Sequence, residues 1–473
     1  MARRADRGSI LQEISRINRW WIEPNWEKGD PQHLAAASAS FRRRPAVLDD
    51  IAPPNVYTLR GPRRAGKSTC LKQNIARLCE AGVEPRRICY FAADSIETYR
   101  DLINVFESAR QLFPDLGDAP RYFLIDEVTA ISDWQRGVKW IRDNTMAASD
   151  CIVLTGSSAE DVAAGALDLS GRRGPTANVD RLLLPMSFPQ FADCAGYSLP
   201  SSPKLAFGDF YTENGRLACH DALGYLGVLV DAFEAYLLVG GFPQAVSDFR
   251  RTASVSDGFI RDLWDVVRSD LRRQGVSRPE QCLSLLEQIV VSLTSTLSMQ
   301  SVADRLAIDR RTASAWIDAL ASSFILLVLF KENGGVPDVK SLRKVYPIDP
   351  LIGRLPSSQS PGLSQPGSTK LAEAAIALAI FRSVERDAVD RFHQPGKLFY
   401  FKSASKTEID FLVLPGRKLA ESKYIDTPDR RELRAMITHS GEGLLLTRSA
   451  IDIQAKGTIL PASVFSWLLD QSG

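Results

Sequence analysis

The run Gly61-Pro62-Arg63-Arg64-Ala65-Gly66-Lys67-Ser68 constrains this chain more than any other stretch, because it completes the spacing G-x-x-x-x-G-K-[ST]. Val56, Tyr57 and Leu59 lead into it as an apolar strand, and residues 69–78 continue from it with helical periodicity. A glycine-bearing turn between a strand and a helix gathers backbone N–H groups at a helix N-terminus, where phosphate oxygens are stabilised. These eight residues and Thr69 are therefore expected to cradle a nucleoside triphosphate. Lys67 would neutralise charge on the β- and γ-phosphates, and Ser68 would offer its hydroxyl to Mg²⁺.

Tyr122-Phe123-Leu124-Ile125-Asp126-Glu127 is an apolar strand ending in two carboxylates, which puts acid at the carboxyl edge of a parallel sheet beside the phosphate loop. Asp126 is expected to hold Mg²⁺ through water, and Glu127 to polarise the attacking water as general base. Cys151-Ile152-Val153-Leu154 then runs into Thr155-Gly156-Ser157-Ser158, so the Thr155 and Ser157 hydroxyls are candidates for sensing the γ-phosphate or the lytic water. Arg172 and Arg173 follow in Ser170-Gly171-Arg172-Arg173-Gly174. They read as an arginine finger for a neighbouring subunit, as a γ-phosphate sensor in cis, or as plain surface charge.

Strand patterns at 56–59, 88–91, 122–125, 151–154 and 182–184 alternate with helical ones such as 102–112. Such alternation predicts an α/β fold with a parallel, doubly wound sheet. At 473 residues, 45% hydrophobic and 24% charged, the chain is long enough for about three domains. It has no uninterrupted apolar run of membrane-spanning length, and the Arg-rich start is followed by no apolar signal core, so a cytoplasmic protein without a membrane partner is expected. Seven cysteines, without a CxxC pair, indicate neither a zinc site nor a disulfide framework. The net charge of +2 neither favours nor disfavours nucleic acid, since local basic clusters decide that affinity.

Several motifs recur in one order: GPRRAGKST, the acidic strand with Trp134 shortly after it, the LTGSSA strand end, the SGRRG loop, Leu184-Pro185-Met186-Ser187-Phe188 and Gly240-Gly241-Phe242-Pro243. Together they resemble the AAA-type ATPases of bacteria and archaea (AAA_14-like) that carry a C-terminal, DUF4143-type domain similar to PD-(D/E)XK nucleases. The resemblance runs from about Trp20 to the C-terminus. It implies an AAA+ core, a winged helix, a nuclease-like domain and adenine as the base. Two departures are mild: Arg64-Ala65 stand where glutamine and valine are frequent, and Ser68 replaces the commoner threonine.

Ser301-Val302-Ala303-Asp304-Arg305-Leu306, a turn at Ala307-Ile308, and a second helix capped by Asp309 read as helix-turn-helix, with a β-wing supplied by the apolar run 325–330, Gly334-Gly335 and Val345-Tyr346. Docked on DNA, Arg310, Arg311, Thr312 and Ser314 would face groove and phosphates; alternatively the element packs on the nucleotide domain as a lid. After a Ser-, Pro- and Gly-rich stretch at 357–368, a helix carries Glu373, a strand carries Asp410, and a further strand carries Glu421-x-Lys423. Asp410 and Glu421 would hold Mg²⁺ or Mn²⁺, Glu373 would complete the metal shell and Lys423 would orient water. The opposing reading is an ordinary Glu/Lys strand face. Lys402, Lys406, Arg417 and Lys418 would suit a phosphate track or be solvated charge.

The expected organisation is an N-terminal extension at 1–50, an ATPase core at 51–200, a helical lid or connector at 201–275, a winged helix at 276–350 and a nuclease-like α/β domain at 365–473. The function expected is an Mg²⁺-dependent ATP hydrolase coupled to DNA, with metal-dependent cleavage as an added activity. The alternatives are a nucleotide-gated switch acting on protein partners with a non-catalytic nuclease-like domain, and a defence-associated effector. An arginine finger would require a homo-oligomer, and the AAA class makes a ring plausible.

Overall fold

A computed structural model describes residues 7–157, 165–166, 168–201, 203–360, 362–385, 394–403 and 406–471. Ser158 of the LTGSSA motif lies outside them. The chain divides into two compact units, Met1–Leu184 and Pro185–Gly473.

The first unit is built on five parallel strands, β1 (Val56–Arg60), β2 (Ile88–Ala92), β3 (Tyr122–Asp126), β4 (Cys151–Gly156) and β5 (Asp180–Leu182), in the order β2-β3-β4-β1-β5. The parallel α/β sheet expected from the alternating pattern is present. Its fifth strand pairs two residues earlier than the apolar pattern indicated, because Thr58, Leu59 and Arg60 align with Asp180, Arg181 and Leu182. Period-two alternation sends side chains of each strand to opposite faces. Phe123, Ile125, Ile152 and Leu154 pack with Leu102, Phe106, Trp134 and Val138, whereas Leu124, Cys151 and Val153 pack with Leu71, Ile75, Trp20 and Trp26. Both faces are covered, as a parallel sheet requires.

The N-terminal extension closes the β2 edge. Asn18 Nδ2 donates to the Tyr90 carbonyl at 2.9 Å, and its Oδ1 accepts from the Tyr90 N–H at 2.6 Å, so one side-chain amide stands in for a neighbouring strand. Trp20 and Trp21 both donate their indole N–H to the Ile88 carbonyl. Lys72, on the helix after the phosphate loop, is buried against Trp20 and Tyr90 and pairs with Asp30 at 3.1 Å.

In the second unit a mostly helical segment precedes an eight-stranded mixed sheet. Its strands are β6 (Leu326–Asn333), β7 (Val336–Pro347), β8 (Leu398–Lys402), β9 (Glu408–Val413), β10 (Lys418–Lys423), β11 (Gly443–Thr447), β12 (Asp452–Ile453) and β13 (Gly457–Pro461). They run in the order β12-β13-β11-β10-β9-β8-β6-β7. The hairpin read from sequence as a wing is thus continuous with the strands read as nuclease-like, joined through the single pair Lys331 and Tyr400. The helices Met299–Leu306 and Arg310–Ser322 precede that hairpin, the second capped by Asp309, which accepts from Arg311 N and Thr312 N at 2.9 Å.

The motif Gly240-Gly241-Phe242-Pro243 has a packing role. Gly240 has φ +73°, and a Cβ there would lie 2.0 Å from Asp349 Oδ1. Gly241 N donates to Asp349 Oδ2 at 2.7 Å, Phe242 is buried, and Pro243 opens the next helix. The stretch Glu213–Val239 is long and apolar enough, by length and composition, to cross a membrane. Here it is interrupted by a 3-10 turn at Leu223–Tyr225 and buries Leu229, Phe233, Tyr236 and Leu237 within the unit.

Candidate functional site

The phosphate loop leaves β1 and enters the helix Lys67–Glu80 through Gly66, whose φ of +101° is open to glycine at little cost. That helix starts at Lys67, so the backbone N–H groups of its first turn point out of its N-terminus, where an anion is stabilised. Lys67 is buried, and its Nζ is folded back onto the loop, donating to the Gly61 carbonyl at 2.8 Å and the Pro62 carbonyl at 3.1 Å. It also lies 3.9 Å from Glu127. Ala65 is buried and Arg64 exposed.

The two acids sit where the sheet directs them, at the carboxyl edge of β3, next to β4. Thr155, fully buried at the end of β4, joins them: its hydroxyl donates to Asp126 Oδ1 at 2.5 Å and accepts from Glu127 N at 2.9 Å. Tyr90 on β2 donates to Asp126 Oδ2 at 3.0 Å. Burial, reinforced by the Asp126 carboxylate, pushes the Tyr90 phenol well above its usual range, so it stays a donor. Ser157 reaches Glu127 Oε2 at 3.4 Å, with Arg63 Nε 3.5 Å from its hydroxyl. The structure therefore brings Lys67, Asp126, Glu127, Thr155 and Ser157 to one edge of one sheet. The set of an amine, backbone N–H groups, a hydroxyl at Ser68 and a carboxylate at Asp126 fits a triphosphate with a hard divalent cation. Tyr90 was not found from sequence; its signal was a phenol in the middle of the apolar strand at 88–92.

Arg172 and Arg173 lie elsewhere. The Arg173 carbonyl accepts from Val56 N, at the start of β1, whereas the phosphate loop leaves the other end of that strand. Five residues of β1 separate the two edges, about 16 Å at strand rise. Arg172 pairs with Asp143 at 2.7 Å near the surface, and Arg173 with Asp180 at 2.7 Å. Neither guanidinium faces the phosphate loop of its own unit.

The second unit holds the other predicted set. Glu373 is the one ionisable residue in the buried stretch 371–381 of the helix Ser368–Val384. Asp410 on β9 and Glu421 on β10 are buried beside one another: Asp410 N donates to Glu421 Oε2 at 2.8 Å and Ser422 N to Asp410 Oδ2 at 2.9 Å. Lys423 pairs with Glu421 Oε1 at 2.8 Å. Sequence reasoning did not see Lys344. Its Nζ, from β7, contacts Asp410 Oδ1 and lies 3.5 Å from Glu373 Oε1 and 3.7 Å from Glu408 Oε1. Tyr346, two residues on and on the same face, donates to Glu373 Oε1 at 2.7 Å.

Burial and the nearby Asp410 carboxylate raise both Glu373 and Glu421 above the usual carboxylate range. Burial works against the Lys344 ammonium, but Asp410 and Glu373 outweigh it and hold its pKa above the ordinary lysine value. An ammonium therefore stands where Glu373 and Asp410 were expected to share a cation. Among the described residues no group of three or more His, Cys, Asp or Glu is arranged to hold a metal ion. With Lys344 in place, these carboxylates do not fit a divalent metal. Three of the four basic residues read as a phosphate track are in ion pairs: Lys402 with Glu408, Arg417 with Glu332 and Lys418 with Glu442.

Residues 53–192 match a family model described as an AAA domain. With the sheet order and the loop geometry, this defines the class: the segment is an AAA-type ATPase domain. Residues 230–354 match a domain of unknown function, DUF8612, which ends short of Glu373, Asp410 and Glu421. A Haemophilus influenzae protein described as uncharacterized is 25% identical over 284 residues, covering 57% of this chain and 61% of that protein. The chain thus spans about three fifths of the length of the curated relative it matches. Among solved structures, Aeropyrum pernix ORC1 in complex with DNA is 15% identical with a TM-score of 0.26, over 75% of this chain and 92% of that one. Cdc6p from Pyrobaculum aerophilum is 12% identical with a TM-score of 0.25, over 76% and 96%.

Proposed function

We propose that the chain is an Mg²⁺-dependent ATP hydrolase of the AAA+ class whose nucleotide cycle is coupled to DNA. The observation that carries the hydrolase reading is the Thr155 bridge, which holds Asp126 and Glu127 in one fixed arrangement beside Lys67. In this reading Lys67 leaves the Gly61 and Pro62 carbonyls to neutralise phosphate charge. Asp126 and Ser68 hold Mg²⁺, Glu127 takes a proton from the attacking water, and Thr155 and Ser157 orient that water. Glu127→Gln is then expected to bind ATP but not turn it over, and a variant that retains turnover would refute the assigned base.

The DNA half is supported by the helix pair and hairpin at 299–347, read as a winged helix, in which Arg310 and Arg311 are exposed in the first turn of the second helix. Affinity measured by fluorescence anisotropy should fall steeply with salt and weaken in Arg310→Ala/Arg311→Ala. Binding indifferent to salt and to both arginines would reject it. Arg172, near the surface, supports a finger role only toward a neighbouring subunit. A second reading, a nucleotide-gated switch acting on protein partners with a nuclease-like domain that does not cut, is favoured by the Lys344 ammonium lodged among its carboxylates.

A further inference from the structure

Five of the six carboxylate oxygens of Glu373, Asp410 and Glu421 have a partner within the protein. Asp410 uses one oxygen for Lys344 and the other for Ser422 N; Glu421 uses one for Asp410 N and the other for Lys423; Glu373 Oε1 serves Tyr346 and Lys344. Lys344 is 2% exposed, so its charge is balanced by these acids rather than by solvent. It belongs to none of the strands that carry the acids. It comes from β7, whose opposite end is exposed and whose partner β6 joins the sheet through one residue pair.

We propose that Lys344 is an internal cation that takes the place of a divalent metal in this site, so that the folded protein binds none there, and that removing its charge opens a site for a hard divalent cation on Glu373, Asp410 and Glu421. A small dication with oxygen ligands must approach those oxygens to about 2.0–2.6 Å, the space against Asp410 and Glu373 that the ammonium fills. The charges make the exchange feasible: loss of Lys344 leaves three buried carboxylates against the one ammonium of Lys423, a deficit that a dication then neutralises. This inference is independent of the ATPase reading.

The experiment uses the full chain without nucleotide and counts bound Mn²⁺ by electron paramagnetic resonance of the free ion. The unsubstituted protein and Asp410→Asn should bind Mn²⁺ identically. Lys344→Met and Lys344→Gln should each gain a single further Mn²⁺ per chain, and Asp410→Asn added to either should abolish the gain. Circular dichroism identifies which variants are folded. An Asp410-dependent Mn²⁺ site in the unsubstituted protein would overturn the proposal, and so would a folded Lys344 variant that gains none. The first comparison tests whether the folded protein binds a metal there even where both lysine variants fail to fold.

Discussion

Replacing Thr155 by valine tests whether the end of β4 holds the acids of β3 in place. Valine keeps the shape and leaves no cavity, so the loss is confined to two hydrogen bonds of a fully buried hydroxyl. The one to the Asp126 carboxylate is charge-assisted and is worth about 1.5–3 kcal/mol, and leaving the Glu127 N–H without its acceptor costs about 1–3 kcal/mol. Glu127 is partly exposed, so water recovers part of the second term, and a loss of about 3 kcal/mol is expected. Read by hydrogen exchange, the amide of Glu127 should exchange roughly two orders of magnitude faster in Thr155→Val. Thr155→Ser, which keeps the hydroxyl, should restore protection. Steady-state kinetics should show a lower kcat with KM little changed in the valine variant. Unchanged exchange at Glu127 together with unchanged kcat would refute the bridge as the element that positions the acids.

Asn18→Leu should cost about 2 kcal/mol and raise aggregation, because both hydrogen bonds to Tyr90 are lost and the β2 edge is bared; chemical denaturation and light scattering check this. Gly240→Ala should destabilise the second unit by about 2 kcal/mol or more, since φ is +73° and the new Cβ would meet Asp349 2.0 Å away; thermal unfolding reads the loss. Burial raises Asp349 to about 7, with hydrogen bonds from Gly241 N and Leu351 N opposing. Its stabilising contribution is therefore complete below about pH 4, where both states hold the proton, and is lost as pH rises toward 7, because the unfolded chain releases the proton first. At about 1.4 kcal/mol per pH unit this amounts to roughly 4 kcal/mol, and urea unfolding of Asp349→Asn should lack that part of the slope.

Much of the first unit was legible because local pattern and global fold agree there. The apolar strands alternate with helices, and the loop and both acids lie at strand ends, where a parallel sheet must expose them. The Asn18 amide that serves as a strand neighbour to Tyr90 was not legible, since nothing local distinguishes an asparagine that will meet a β-edge 72 residues later. In the second unit, Asp410 and Glu421 were read from the spacing of two adjacent strands. Lys344 was missed because it approaches from β7, 66 residues before Asp410, and a lysine in a charged hairpin reads as solvated. The period-two relation of Lys344 to Tyr346, at the end of β7 where burial begins, was the available signal. Of the three readings of the SGRRG loop, sequence left the sensor in cis open, because motif order says nothing about which edge of the sheet a connection returns to.

The central claim is tested most directly by the steady-state ATP hydrolysis rate of the full chain with and without DNA, branched DNA included, using Lys67→Ala as the control. The account predicts a rate that DNA raises and that Lys67→Ala abolishes. Hydrolysis persisting in Lys67→Ala, or a rate that no nucleic acid alters, would contradict it.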